Sequence, residues 1–214
     1  MKVITVASLK GGVSKSTTAR HLSLALPQCG LIDLDPQGTT RRWLERREAR
    51  DRRAPIGIEA NHTNLEQAIE LAKTQGNCRY VLIDTPPAHS DQRQVRKAIE
   101  CSDYILTPSK YSIDDLEILP MISEIVKEYG KPMGYFLTMT RRVKALETAR
   151  AFMAQCAEKY GADFWVLQIK DRIAYVESAG LSQSVFEYSP KSEAAKEMQA
   201  LCNWVLKNIE KRGL

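Results

Sequence analysis

The chain has 214 residues, of which 43% are hydrophobic and 27% charged, and a net charge of +5 at neutral pH. These values are those of an ordinary globular protein and exclude both wholesale disorder and a fibrous class. The length favours a single domain over 1–214, because two domains with separate cores would be cramped. The positive charge is compatible with an anionic partner but indicates no function by itself.

Hydropathy and cysteine spacing exclude several further classes. No apolar run reaches the roughly 18 residues of a membrane span. The N-terminal sequence lacks the charged leader and apolar core of a signal peptide. The five cysteines contain no C-x-x-C pair, which argues against a zinc site and against a disulfide framework. We therefore expect a cytoplasmic protein.

Short apolar strands alternate with helical stretches along the chain. Strands are predicted at 2–8, 31–34, 80–83, 104–107, 133–139 and 164–169, and helices at 16–26, 64–75, 91–100, 113–129 and 144–159. The strand at 104–107 is expected to end at Pro108. This alternation predicts an α/β fold, a doubly wound and mostly parallel sheet with helices on both faces. Ligands bind such sheets at the carboxyl ends of the strands.

A glycine-containing loop follows the first strand and opens the first helix. It reads Lys10-Gly11-Gly12-Val13-Ser14-Lys15-Ser16-Thr17. Its backbone N–H groups and the positive end of the helix dipole can surround a polyphosphate. Lys15 would reach the β- and γ-phosphates, and the Ser16 hydroxyl would ligate Mg²⁺. The loop departs from the pattern G-x-x-x-x-G-K-[ST], since Leu9 and Ser14 occupy its glycine positions.

Two other strands end in aspartates. The second strand leads into Asp33-Leu34-Asp35-Pro36-Gln37-Gly38, and the third into Asp84-Thr85-Pro86-Pro87. Asp33 and Asp35 lie on the same side of an extended strand end, so both can act on one Mg²⁺ ion and its waters. Asp84 ends an apolar strand, the arrangement that supports Mg²⁺ in phosphate-loop enzymes.

Together the three motifs resemble those of the deviant Walker ATPases, and the Asp-Leu-Asp-Pro-Gln-Gly box resembles the small plasmid-type ParA partition proteins in particular. The resemblance extends to residues 171–197. It implies an ATP hydrolase with ATP and Mg²⁺ as cofactors, which turns over slowly until an adaptor stimulates it. It also implies that Lys10 crosses a dimer interface to the phosphates of the partner subunit.

The resemblance assigns the remaining site residues by position. Asp33 would help to hold the water shell of the metal, Asp35 would orient or activate the attacking water, and Ser16 and Asp84 would support the metal. Thr140 and Arg141 follow the fifth predicted strand, where relatives hold the adenine base. A buried strand-end threonine and a surface arginine explain these two residues equally well.

The resemblance also implies partners and a cellular role. ParA proteins position plasmids, chromosomes or other cargo as ATP-dependent homodimers, with a ParB-like or small adaptor protein, and bind DNA without sequence preference. We expect nucleoid association with ATP bound and no membrane partner. The chain begins at the first strand without a helix-turn-helix extension, so operator binding is not expected. Candidate DNA contacts, each of which taken singly is more often a solvated surface charge, are Arg172, Lys191, Lys196, Lys207, Lys211 and Arg212.

Alternatives remain open at this stage. One is a metabolic or metal-handling deviant Walker ATPase, although such relatives bring paired cysteines. Another is a MinD-like membrane-associated regulator, which would need a free amphipathic helix. The C-terminal apolar stripe, Ala194, Ala195, Met198, Leu201, Cys202, Val205 and Ile209, is instead expected to dock on the core. The segment Arg41–Arg53 has seven arginines and three acids and is either a solvated helix or a contact surface.

Overall fold

Strands and helices alternate over most of the chain in the computed structural model, which describes residues 1–87, 92–141 and 143–213. The strands are β1 (Lys2–Val6), β2 (Cys29–Asp33), β3 (Ile56–Glu59), β4 (Tyr80–Asp84), β5 (Tyr104–Ser109), β6 (Met133–Thr140) and β7 (Asp163–Lys170). The helices are α1 (Lys15–Ala25), α2 (Thr39–Glu48), α3 (Leu65–Thr74), α4 (Gln92–Glu100), α5 (Ile113–Leu116), α6 (Leu119–Glu128), α7 (Ala145–Tyr160), α8 (Ile173–Gly180), α9 (Val185–Tyr188) and α10 (Glu193–Lys211).

The strands form one seven-stranded sheet in the order β3-β2-β4-β1-β5-β6-β7. All neighbouring pairs are parallel. Alternate side chains of each strand enter cores on opposite faces, as the pleat requires: Leu82 packs with α1, α2 and α10, whereas Val81 and Ile83 pack with α3 and α4. The predicted doubly wound parallel sheet with helices on both faces is thereby confirmed.

Several predicted boundaries are wrong. The edge strand β3 was not predicted, because its sequence Ile-Gly-Ile-Glu is short and mostly exposed. β5 continues through Pro108 to Ser109, since proline lacks only the N–H group and Pro108 still pairs in register with Phe136. The helix predicted at 113–129 is two helices, α5 and α6, with Pro120 in the first turn of α6. The strand predicted at 2–8 ends at Val6.

The C-terminal apolar stripe is docked on the sheet, as predicted. All seven of its side chains, from Ala194 to Ile209, are buried in the same core as Leu22 and Trp43. The apolar face of α10 is therefore occupied within the fold. Within the part of the chain that the structure describes, no helix is long and apolar enough to cross a membrane.

The arginine-rich segment forms α2 and the turn that follows it, and one of its arginines is completely buried. The Arg47 side chain has 0% exposure and donates two hydrogen bonds of 2.8 Å to the carboxylate of Glu187. Its guanidinium also lies 4.9 Å from the ring centroid of Trp43 and donates to the carbonyl of Ser182. Neither a solvated helix nor a contact surface describes this residue, which joins α2 to α9 and to the segment preceding α9.

Replacing Arg47 should destabilise the fold strongly. Arg47→Met leaves the Glu187 carboxylate without its main partner, and breaking a buried ion pair from one side costs about 3–5 kcal/mol. Because the Glu187 side chain is one-third exposed, we expect a loss of about 2–3 kcal/mol in the free energy of unfolding. Urea unfolding monitored by circular dichroism measures it.

The matched control is Arg46→Met on the exposed side of α2, which should cost less than about 1 kcal/mol. Equal losses in the two variants would contradict the assigned role of Arg47.

Burial tends to raise the pKa of Glu187, but hydrogen bonds from Arg47 and Ser184 outweigh burial and lower it. A lowered carboxyl pKa stabilises the fold at neutral pH, and this contribution is lost as the pH falls through the folded-state pKa.

Candidate functional site

The parallel register brings the three sequence motifs to one edge of the sheet. Asp84 at the end of β4 stands opposite Val6 of β1 on one side and Asp33 of β2 on the other. The backbone N–H of Leu34 donates to the Asp84 carbonyl over 2.9 Å, which continues the ladder past the end of β2. The glycine loop, the Asp33–Asp35 box and Asp84 are therefore neighbours in space.

The loop between β1 and α1 contains two residues in the left-handed backbone conformation. Gly12 has φ 69°, and Ser14, the N-cap of α1, has φ 67°. The helix begins at Lys15, so the free N–H groups of its first turn, which includes Ser16 and Thr17, border the loop. Val13 is buried and its carbonyl accepts a hydrogen bond from Thr138, which attaches the loop to β6.

The two lysines of the loop have different environments. Lys15 is buried, and its Nζ donates to the Lys10 carbonyl over 2.9 Å. Burial lowers the Lys15 pKa, while Asp84 and Asp35 raise it. Lys10 is 34% exposed, and its Nζ lies 3.3 Å from Oδ1 of Asp115 in α5. The Lys15 ammonium group is therefore bonded within its own loop, whereas that of Lys10 is paired with α5.

A third lysine beside the loop was missed by the sequence analysis. A Cβ atom added to Gly12 would lie 3.7 Å from Nζ of Lys110. Lys110 directly follows β5, the strand next to β1. The strand order places Lys110 beside Gly12. A search of the sequence for charged residues after every predicted strand would have found Lys110 as a candidate.

The three aspartates differ in how their oxygens are used. Asp84 is fully buried; its Oδ2 accepts the Thr40 hydroxyl over 2.7 Å, and its Oδ1 has no hydrogen-bond partner among the described residues. Both oxygens of Asp33 accept backbone N–H groups, from Asp35 and from Arg41. Asp33 thus caps the first turn of α2. Asp35 accepts the N–H of Gln37.

The buried Asp84 carboxylate fits a cation at this edge. Burial and the neighbouring Asp33 raise the pKa of Asp84 to about 7, although the hydroxyls of Thr40 and Ser16 lower it. An unpartnered buried carboxylate oxygen is costly unless a cation or a donor completes it. No group of three or more His, Cys, Asp or Glu side chains in the described ranges could hold a metal. Mg²⁺ keeps several waters and takes few protein ligands, so a site for it does not need such a group.

Comparison with known families settles the class. The family model described as ATPase MipZ matches residues 2–181, a span that contains the loop, the acidic box and Asp84. The chain belongs to the MipZ family of ATPases. Its motifs and fold are thus those of the ParA-related ATPases, as the resemblance implied.

Relatives with assigned names agree with this membership. The maintenance of carboxysome distribution protein A of Halothiobacillus neapolitanus is 29% identical over 95% of both chains. The chromosome partitioning protein ParA of Caulobacter vibrioides is 28% identical over 68% of this chain and 72% of its own. The structure of a Cyanothece McdA variant in complex with ATP has the same fold, with a TM-score of 0.72 and 19% identity over 94% of both chains.

In this MipZ-family chain a cavity of about 420 Å³ opens beside the glycine loop, residues 10–17. It is mostly apolar, and its walls come from the loop and α1, from the β7–α8 segment, and from one methionine each of β6 and α10. Its lining residues include Gly12, Ser14, Thr17, Met139, Ile169, Asp171, Arg172, Tyr175, Val176 and Met198. Its position next to the loop suits the nucleoside of a bound nucleotide.

The residues predicted at the adenine lie beside this cavity and do not line it. Thr140 is buried and donates to the carbonyl of Ile169, and Arg141 forms an ion pair with Asp171 over 2.6 Å. Both line a neighbouring cavity of about 360 Å³, together with Asp171 and Arg172. The walls formed by Ile169–Val176 were absent from the sequence-based list of nucleotide contacts, because helix α8 was not predicted there.

The basic residues proposed for DNA contact are of two kinds. Arg172 is paired with Glu197 over 2.7 Å, and Arg212 with Asp163 over 2.9 Å. Lys207 and Lys211 are exposed on α10. Phosphate binding by the two arginines would have to compete with existing carboxylate partners.

Substitution of Ser14 tests whether the backbone of the loop is strained. Its left-handed φ of 67° costs a residue with a Cβ atom roughly 1–2 kcal/mol, of which the greater flexibility of an unfolded glycine offsets about 0.5–1. We expect Ser14→Gly to raise the free energy of unfolding by about 0.5–1 kcal/mol, measured by urea unfolding without nucleotide.

Ser14→Ala is the matched control, because it removes the hydroxyl but keeps the Cβ atom and the strain. It should give no gain. If alanine stabilised the chain as much as glycine, the hydroxyl and not the backbone conformation would be the source of the effect.

Proposed function

We propose that this chain is a positioning ATPase that dimerises on ATP, binds DNA without sequence preference while dimeric, and releases it when an adaptor protein stimulates hydrolysis. The support is membership of the MipZ family together with relatives named for carboxysome distribution and chromosome partitioning. Cargo of either kind suits the same cycle, because the cycle requires only a nucleotide-dependent change of partners.

The arrangement of Lys10 and Lys15 is the observation that carries the proposal. Lys15 is buried and bonded within its own loop, so the requirement for a cation at the bound phosphates is met in cis. Lys10 is part of the same loop, but its ammonium group is paired with Asp115 of α5. A second subunit placed face to face would offer Lys10 a phosphate in place of the carboxylate.

The remaining roles follow from position and charge. Lys15 and the first turn of α1 would hold the phosphates, and Asp35 would accept a hydrogen bond from the water that attacks the γ-phosphorus as the bond to the bridging oxygen breaks. Ser16 and Asp84 would hold Mg²⁺, with Asp33 beside its waters. A bound Mg²⁺ would counter the negative charge of the phosphates. Thr140 and Arg141 would border the base.

Dimerisation is the first test. Lys10→Ala should remain monomeric with ATP, whereas the wild-type chain should dimerise with ATP only. Asp115→Asn releases Lys10 from its ion pair and should tighten the ATP-dependent dimer about two- to fivefold, the worth of a partly exposed ion pair. Sedimentation velocity over a range of protein concentrations measures each species.

Asp115→Asn is a sharp comparison because asparagine keeps an oxygen that can accept the Ser112 hydroxyl, the hydrogen bond in which Asp115 already takes part. A wild-type chain that stays monomeric with ATP at every workable concentration would refute the dimer. A Lys10→Ala variant that dimerises as the wild type does would refute the role of Lys10.

Nucleotide binding and hydrolysis should be separable by substitution. Lys15→Ala removes the cation at the phosphates and should weaken ATP binding about 10- to 100-fold. Asp35→Ala should bind ATP and dimerise but lose hydrolysis by about 100-fold or more. Equilibrium binding of a fluorescent ATP analogue and phosphate release measure the two steps. Wild-type hydrolysis in Asp35→Ala would show that another group positions the water.

A further inference from the structure

Three arginines of the Arg41–Arg53 segment form an exposed stripe, which we call the arginine stripe: Arg42, Arg46 and Arg50. They are spaced by four residues, so they succeed one another along one side of α2 and the turn that continues it, about 6 Å apart. All three are exposed. Their neighbour Arg47, in contrast, is buried with Glu187.

The arginine stripe carries uncompensated charge. Its contacts are to neutral oxygens: Arg42 donates to the Gln37 carbonyl, Arg46 to the Ser182 hydroxyl over 3.0 Å, and Arg50 to the Leu181 carbonyl over 2.5 Å. None of the three forms an ion pair with any residue that the structure describes. Each guanidinium has five N–H donors, so most of them are left for a ligand.

The acids of the same segment do not neutralise the stripe by ion pairs. Glu45 pairs with Arg41, which also pairs with Glu59 of β3 over 2.8 Å. Glu48 and Asp51 are exposed and form no ion pair with a residue that the structure describes. The stripe is therefore a linear array of three arginines without ion-pair partners, which matches a polyanion with regularly spaced charges.

The rest of α2 argues against an anionic membrane as the ligand. A helix that binds a bilayer surface must present an apolar face next to its basic one. The apolar side chains of α2, Trp43 and Leu44, are buried in the core of the sheet. What remains outside is charged and polar, as in surfaces that bind the phosphates of nucleic acid.

Both ends of the stripe contact segments that adjoin the candidate nucleotide site along the chain. Arg42 binds the carbonyl of Gln37, two residues after Asp35. Arg46 and Arg50 bind the segment that follows α8. Tyr175 and Val176 of α8 line the cavity beside the glycine loop. A nucleotide that orders the acidic box and α8 would therefore also orient the guanidinium groups.

From these observations we propose that the arginine stripe binds the phosphate backbone of duplex DNA. This inference rests on the proposed function, which includes DNA binding, and it places the contact on α2 in addition to the C-terminal residues. Of those residues, Arg172 and Arg212 are already paired with carboxylates. α2 and α10 lie on the same face of the sheet with α1 between them, so exposed Lys207 and Lys211 can extend the same surface.

The experiment compares full-length chains by fluorescence anisotropy on two unrelated duplexes across a salt series, with ATP, with ADP and without nucleotide. The test variant combines Arg42→Gln, Arg46→Gln and Arg50→Gln. Its matched control places lysine at the same three positions, which keeps the charges but alters the same contacts with Gln37, Ser182 and Leu181. A second comparison combines Lys207→Gln and Lys211→Gln.

We expect the wild-type chain to bind both duplexes equally, and only with ATP. The glutamine variant should show a log–log salt slope smaller by about 2.7 for each stripe of the dimer that contacts the duplex, which is 0.9 for each of three phosphate contacts, and binding weakened more than about tenfold at low salt. The lysine variant should keep most of the wild-type slope, because the slope reports charge and not guanidinium geometry.

Other outcomes overturn the inference. If the glutamine variant keeps the wild-type slope while the Lys207 and Lys211 variant loses it, DNA binds α10 alone, and the proposed function survives without the stripe. If lysine and glutamine variants lose binding equally, the arginines serve the fold only. If the glutamine variant loses binding to phosphatidylserine vesicles but not to duplex DNA, the ligand of the stripe is a membrane. A wild-type chain that binds no DNA in any nucleotide state refutes the DNA-binding part of the proposed function itself.

Discussion

The parallel register of β1, β4 and β2 is the constraint on which the site depends. It aligns Val6, Asp84 and Asp33 across three neighbouring strands, so the residues that follow these strands meet at one edge. The packing of the two cores fixes the register. A slip of one residue would move every side chain of the strand from the core on one face of the sheet to the core on the other. The apolar sequence of β4, Tyr80–Ile83, therefore determines the position of Asp84 at the edge of the sheet.

Charged side chains are buried at this edge of the sheet. Lys15 is almost fully buried and its pKa is lowered chiefly by burial, while the pKa of fully buried Asp84 is raised to about 7. Each group is thus less stable in its charged form than it would be in water. A polyphosphate beside Lys15 and a cation beside Asp84 would complete both, so nucleotide binding and the stability of this edge are thermodynamically linked.

The sequence was sufficient for the fold class and for the composition of the site, because both depend on local signals: strand-loop-helix order, and charged residues directly after apolar strands. It was insufficient where long-range contacts decide. β3 is a strand only because β2 offers an edge, and the position of Lys110 beside Gly12 follows from the order β1-β5. The walls of the cavity at Ile169–Val176 require α8 to lie next to α1, where the Tyr175 ring meets His21. The roles of the individual site residues remain predictions.

The arginine-rich segment illustrates why composition alone does not determine the use of a charge. Arg47 and Arg46 are adjacent in sequence, yet a rotation of about 100° per residue takes the first into the core beside Trp43 and leaves the second outside. The first turn of the same helix reaches the site, where Thr40 donates to Asp84 and the Arg41 N–H to Asp33. Because Arg47 fixes the other end to Glu187, any shift that nucleotide imposes on Asp84 or Asp33 must be accommodated by α2 as a whole, and its exposed arginines would move with it.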